Sequence, residues 1–435
     1  MRRRSPWLNC LIVLGAVALC VGGGAAVTSL PPVQERLGWR ISEARARIWY
    51  ALFPPEQAAF VPDPTLAAMV QRTLTSMAPT PTDPGPSATP SEAATPTPAP
   101  IPLPQRVVLE GVKYEDQHNR WNYCGPANFS MALTYWGWDG NRDVIGQVIK
   151  PSDQDKNVMP YELQDYISDN VPGMGAILRR GGDIDILKRL LAAGFPVVSE
   201  KGYYEYDYTG KLGWLGHYQF VTGYDEAEGA LIVQDTYRDG ADFHIPYEDF
   251  IEGWRAFDYL FVVVYPLEQE AAVLEALGPW ADDRWASTHA LEVALDEGAR
   301  LSGIDQFFAW FNAGSSHVAL QQYVDAAFAY DQAFALYAAL DADDTTRPYR
   351  MMWYQTGPYW AYYYAGRYGD VMTLSTQTLQ NMAEPSLEES YYWRGLAREA
   401  VGDIPGAIED LRTALEMHPG FEPALGQLRR LGVDV

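Results

Sequence analysis

Ten of the 26 residues from Pro79 to Pro104 are proline, with Thr, Ser and Ala between them. A segment so poor in backbone donors and apolar bulk cannot contribute to a helical or sheet core. The main folded unit must therefore be built from residues beyond 105. The segment itself reads as a stiff tether, reaching about 80 Å at ~3.1 Å per residue if wholly extended. Upstream, Arg2, Arg3 and Arg4 precede an uncharged stretch, Leu8 to Val27, interrupted only by Asn9. Twenty such residues can span a bilayer as one helix, and the arginines hold the N-terminus in the cytoplasm. The expectation is a single-pass, membrane-anchored chain whose bulk is extracytoplasmic. Secretion after signal cleavage near Gly24 and Ala26 is the alternative. Residues 33–53 place Trp39, Ile41, Ile48 and Trp49 among arginines at roughly helical spacing, as an interfacial helix or a short packed helix would.

The chain has 435 residues, which leaves room for two or three domains and a large core. The formal charge is −24, of which residues 1–53 carry +5 and the remainder −29. Nucleic acid is therefore a poor partner. Of three cysteines, Cys10 and Cys20 sit in the apolar N-terminal run, leaving Cys124 alone in the folded part. It has no partner there for a disulfide. No CxxC or Cys/His cluster points to zinc or redox chemistry, so no metal or cofactor is expected. Cys124 is either inert packing or a nucleophile.

From Arg106 to about Leu267 the pattern is α+β: a helix from near Pro126 to Gly137, another capped by Asp183 and stopped by Gly194, then strands at Phe195–Ser199, His217–Tyr224, Ala230–Asp235 and Tyr259–Tyr265. From Pro279 onward strand signals vanish and helical patterns take over. Gly314, Ala326 and Ala333 are spaced by 12 and 7, and Gly395, Ala407 and Ala414 repeat those spacings. These offsets resemble the tetratricopeptide repeat, a helix hairpin whose small residues let its helices approach. A middle copy, Tyr359 to Thr378, has Val371 where Ala is expected, and Leu340 to Met352 is an insertion. Such arrays serve as peptide-binding surfaces or as scaffolds packed on a neighbour.

Cys124 stands in Asn122-Tyr123-Cys124-Gly125-Pro126-Ala127, directly before the first helix. Proline suits a first helical turn, so the thiol lies at a helix N-terminus, where unpaired amides and the macrodipole favour thiolate. A thiolate nucleophile needs a base that can also protonate a leaving group, a task suited to histidine. Three of the six histidines (His289, His317, His418) fall in the helical region, leaving His118, His217 and His244. Strand alternation puts His217, Gln219 and Val221 on one face. A hairpin centred on Ala227 pairs Asp235 with Gln219, so the carboxylate lies diagonal to His217 on the same face. Asp235 can then accept the imidazole N–H. A one-residue slip would ruin this. His118 and His244 read as surface or packing residues, and the run from Tyr203 to Tyr208 alternates like a hairpin that is structural, with lining of the cleft as the alternative.

These three motifs, in this order and on these elements, resemble the papain-like cysteine peptidases related to the bacteriocin-processing, double-glycine leader peptidases, over roughly residues 105–267. The resemblance implies a nucleophile helix packed on an antiparallel sheet and a catalytic set of Cys124, His217 and Asp235. It also implies an upstream glutamine that binds the oxyanion with the Cys124 amide. Gln117 is the candidate, seven residues ahead where six is commoner, so a one-residue bulge is needed; Asn119 or Asn122 could substitute. Leader peptidases are typically fused to a transporter, which this chain lacks, so their substrate does not carry over.

The expected partition is a 1–30 anchor, a 31–78 membrane-proximal segment, a 79–104 linker, a 105–268 papain-like domain, a 269–304 helical connector and 305–435 repeats. The expected function is a membrane-anchored, extracytoplasmic thiol hydrolase of peptide or amide bonds, with a peptide or protein substrate and room for protein partners on the repeats. A peptide-binding adaptor without catalysis is the alternative, and acyl transfer to an amine would use the same residues.

Overall fold

The computed structural model describes residues 31–63 and 102–435, apart from 121, 153–154, 207–209, 344, 346 and 435. The apolar stretch Leu8–Val27, expected to anchor the chain, and nearly all of the proline-rich run lie outside the described residues. Among those described, no helix is long and apolar enough to cross a membrane. The first helix, α1 (Pro31–Leu52), and the residues after it rest on the C-terminal helices. Ala46 is buried, the Tyr50 ring lies 6.4 Å from Tyr349, and Phe60 meets Phe334 edge-on at 4.9 Å. The Asp63 N–H donates to Asp370 Oδ1, and Lys211 pairs with Glu56 at 2.7 Å. Of the two sequence expectations for this helix, packing is what these contacts show. The described residues before 64 thus pack on the same body as those after 101.

The α+β part runs β1 (Arg106–Val108), α2 (Cys124–Tyr135), α3 (Arg142–Ile149), α4 (Pro160–Asn170), β2 (Met174–Arg179), α5 (Ile184–Ala192), β3 (Val197–Tyr206), β4 (Leu212–Asp225), β5 (Ala230–Asp235), β6 (Gly240–Pro246), α6 (Tyr247–Arg255) and β7 (Phe261–Pro266). Its strands form one antiparallel sheet in the order β2-β7-β3-β4-β5-β6, with β1 paired to the end of β4. Strand alternation sends neighbouring residues into different cores. Val198, Phe220 and Val262 join Phe129, Met131 and Leu133 of α2 on one face, while Val197, Val221 and Val263 join α5 and α6 on the other. Both faces are covered, which is why the central strands read as nearly unbroken apolar runs. The α5 cap is as expected, with Asp183 Oδ1 accepting from the Ile186 N–H at 2.7 Å.

The C-terminal part is wholly helical among the described residues: α7 (Glu270–Leu277), α8 (Asp283–Arg300), α9 (Gly303–Ala319), α10 (Tyr323–Ala339), α11 (Met351–Tyr354), α12 (Gly357–Tyr364), α13 (Tyr368–Gln380), α14 (Glu388–Ala400), α15 (Ile404–Met417) and α16 (Glu422–Arg430). The small residues of the repeat pattern lie where helices approach. A Cβ on Gly314 would stand 2.7 Å from the Tyr330 ring of α10, and one on Gly395 would stand 3.3 Å from the Ala407 carbonyl oxygen of α15.

The helices and the sheet share a core. Trp214 of β4 stacks on Phe257 at 5.8 Å and touches Phe308 and Tyr354 at 5.9 and 5.8 Å. Asn312 Nδ2 donates to the Arg255 carbonyl, Gln355 Nε2 to that of Ala256, and Arg350 to that of Trp214. The insertion Leu340–Met352 thus carries part of the joint through Arg350.

Candidate active site

Cys124 is the first residue of α2, so its backbone N–H is one of the helix's unpaired donors. The helix is held to the sheet beside it by Asn128, fully buried one turn on, whose Nδ2 donates to the Cys124 carbonyl at 2.8 Å and the Tyr218 carbonyl at 2.9 Å. Tyr218 follows His217, so one amide ties the nucleophile's turn to the histidine's strand. The Tyr218 hydroxyl reinforces this by donating to the Val158 carbonyl at 3.0 Å.

His217 and Asp235 come together because β4 carries a bulge. Nearest the turn, the ladder pairs Asp225 with Ala230 and Gly223 with Ile232; beyond Thr222 it shifts by one, pairing Val221 with Val233 and Phe220 with Gln234. The extra residue lets two positions oppose one. Without it, Asp235 would fall opposite Phe220 and face the α2 core. With it, Asp235 joins Gln219 and His217 on their face. His217 Nε2 lies 3.3 Å from Asp235 Oδ2, an ion-pair distance at an angle short of a hydrogen bond. Gln219 Nε2 donates to that same oxygen at 2.7 Å, while the Tyr237 and Arg238 amides donate to Oδ1 at 2.9 and 2.8 Å.

The electrostatics follow from this arrangement. Burial alone pushes the Cys124 thiol up, but hydrogen bonding and positive charge from His217, with the backbone of Tyr218 and Gly125, bring it below the ordinary cysteine range. Burial pushes His217 down; the charge of the adjoining Asp235 carboxylate, then the thiolate, outweigh it and raise the imidazole to about 10. Burial would raise Asp235, yet His217, Gln219 and the Tyr237 amide hold it well below the usual carboxylate range. Given the off-line contact, Asp235 acts on His217 chiefly through charge. The arrangement thus favours a thiolate beside an imidazolium and a carboxylate.

Gln117 lies at the end of β5 next to this set. Its N–H donates to the Thr236 carbonyl at 2.9 Å, and its Oε1 accepts from the Thr236 hydroxyl at 2.8 Å, which leaves Nε2 as its donor end. The Arg120 N–H closes a turn onto the Gln117 carbonyl, and Asn119 and Asn122 take positive φ of 63° and 48°. This tight path takes up the extra residue between Gln117 and Cys124. Asn122 is committed elsewhere, with Nδ2 on the Asp155 carbonyl at 3.2 Å, and Asn119 is exposed. His118 is exposed, and His244 pairs with Glu228 away from the thiol.

Sequence reasoning missed Asn128, Glu200 and Tyr354 around the thiol, and took Tyr203 for a structural residue first and a cleft residue second. Asn128 left a signal, an amide inside an apolar helix one turn after the cysteine. Glu200, buried on β3 opposite Tyr218, left none because its partner lies across the sheet. Burial and the nearby thiolate push its carboxyl well above the ordinary range. The Tyr203 ring lies 5.3 Å from His217, and Tyr354 reaches the site from the helical part, close enough to feel the thiolate's charge. A cavity of about 310 Å³ opens on the His217–Asp235 side, lined by Lys201, Tyr203, Gln219 and Arg238 but not by Cys124.

Residues 109–261 match the model of the Peptidase_C39 like family. No curated protein matches the chain. A crystal structure from Bacillus anthracis, described as that of a C39-like peptidase, aligns with 37% of this chain and 97% of its own at 18% identity and a TM-score of 0.30. By the family match, the α+β part of this chain is similar to the C39-like cysteine peptidases, over about the span that carries Cys124, His217 and Asp235.

Proposed function

We propose that the chain is a membrane-anchored, extracytoplasmic cysteine peptidase. The observation that carries this is the position of His217, between a helix-capping thiol and a carboxylate fixed on both oxygens. In the proposed reaction the Cys124 sulfur attacks the substrate carbonyl carbon. The resulting oxyanion takes hydrogen bonds from the Cys124 N–H and Gln117 Nε2. The C–N bond then breaks as the His217 imidazolium gives its proton to the leaving amine, leaving a thioester. Water attacks that thioester, giving one proton back to His217, and the C–S bond breaks to release the carboxylic acid and the Cys124 thiolate. Acyl transfer replaces water by an amine at this step. Asp235 keeps the imidazole oriented throughout and favours its charged form.

Membrane placement is supported by the apolar stretch Leu8–Val27 and by α1, which turns Ile48, Leu52 and Phe53 outward beside Arg45 and Arg47. The helix pairs around Gly314 and Gly395 are assigned as tetratricopeptide-like repeats on their spacing. They bury much of their surface on the peptidase part, and the exposed aromatics Trp360 and Tyr364 leave a surface for a protein partner. A digest of a peptide library by the full chain, read by mass spectrometry for new termini, tests the peptidase assignment against Cys124→Ala. New termini that depend on Cys124 support it. Capture of peptides by both proteins with no new termini from either would instead favour the adaptor.

A further inference from the structure

We infer that the joint between the two parts of the molecule holds a divalent metal ion, bound by Asp155, Glu388 and His418. The three residues come from separate places. Asp155 lies in the loop between α3 and α4, Glu388 opens α14, and His418 ends α15. Each is at least nine-tenths buried, and one donor atom from each lies within 4.8 Å of the others. Metal–nitrogen and metal–oxygen bonds of about 2.0–2.2 Å need only small side-chain shifts to converge from such a spread.

The polar atoms already on hand do not satisfy the cluster. His418 Nδ1 meets Glu388 Oε1 at 2.7 Å, yet Glu388 Oε2 is buried, in a residue 2% exposed, with no hydrogen-bond partner among the described residues. A carboxylate oxygen left in this way costs several kcal/mol by desolvation and calls for a cation. Asp155 Oδ1 accepts a long hydrogen bond from the Asn157 N–H at 3.2 Å. Glu162 and Glu389 lie close by, and burial together with the neighbouring carboxyl groups raises both well above the ordinary carboxylate range. The facing cations are Lys150, whose Nζ is held on the Asp155 carbonyl at 2.6 Å, and Lys156. One imidazole and two carboxylates suit zinc or manganese better than calcium, leaving room for a water in the remaining position.

Such an ion would pin the Asp155 loop to α14 and α15. The Asp155 carbonyl also takes the Asn122 amide, two residues before Cys124, so the site would join the helical region to the segment that presents the nucleophile.

The test uses the full chain carrying Cys124→Ala, so that the thiol cannot itself bind metal. Metal-stripped protein is titrated with zinc by calorimetry, and with cobalt to read visible ligand-field bands. The expected result is a single site, with cobalt bands typical of nitrogen and oxygen donors. Glu388→Gln and Asp155→Asn, each checked by circular dichroism, should lower zinc affinity roughly 10–100-fold or more, as loss of a ligand contact does. Absence of a zinc site, or affinity unchanged in both variants, overturns the inference. So does a site that appears only after Lys150→Met, because Lys150 would then be the cation that the cluster uses.

Discussion

Asp235 shows how much a single carboxylate can organise. Its Oδ1 is tied to the turn after β5 and its Oδ2 is shared by Gln219 and His217, so it cannot swing away when the imidazole changes charge. Asp235→Asn should keep the fold and lower kcat/KM by about 10²–10⁴-fold, the order found when a carboxylate orienting a catalytic histidine is neutralised. It should also bring the alkaline limit of activity down. The sign follows from the charge: Asp235 raises the imidazole to about 10, so its removal lets His217 lose its proton at lower pH. A pH–rate profile whose alkaline limb stays in place would contradict this. Glu200 makes the opposite case. Burial and the thiolate push its carboxyl well above the ordinary range, toward the neutral form, so Glu200→Gln should leave the alkylation rate of Cys124 unchanged, and a clear change in that rate would mean the side chain is charged.

At the scale of elements, the nucleophile helix and the His217–Asp235 hairpin were legible, because each rests on local chemistry: proline in a first turn, alternation along a strand, a short turn. The pairing of Asp235 with the Gln219 face was right for a reason the sequence does not display. A hairpin centred on Ala227 implies a regular ladder, whereas the real turn is offset and the bulge at Thr222 restores the expected register beside His217. β4 also begins at Leu212 rather than at His217, because its first half pairs with the tyrosine-rich run. Tyr203–Tyr206 are the second half of β3 and form one arm of a hairpin with the start of β4. The short strands β1, β2 and β6 and the helices α3 and α4 escaped notice, since their burial is partial and set by neighbours distant in sequence. Asn128 is the joint between the two legible elements. Asn128→Ala leaves two carbonyls without their donor and should cost about 1–3 kcal/mol, measured by urea unfolding, with slower alkylation of Cys124. A variant as stable and as reactive as the parent would show that this amide does not hold the helix to the strand.

Over the whole molecule, the helical region completes the peptidase part's core as well as adding its own. Trp214, Phe257 and Gly216 face α11, where Tyr354 closes toward the thiol. A chain ending at residue 268 should therefore lose cooperative thermal unfolding, and a sharp transition like that of the full chain would contradict the shared core. None of this could be read from repeat spacing, which describes how helices pair and is silent on what their outer faces cover. The central claim is that Cys124 is a thiolate because His217 stands charged beside it. Its most direct measurement is the rate of iodoacetamide labelling of Cys124 in the full chain across pH, read by mass spectrometry and compared with His217→Ala. The account predicts that the parent reacts rapidly well below the ordinary cysteine range, and that the variant reacts only as pH approaches that range. Equal profiles in the two proteins would contradict it.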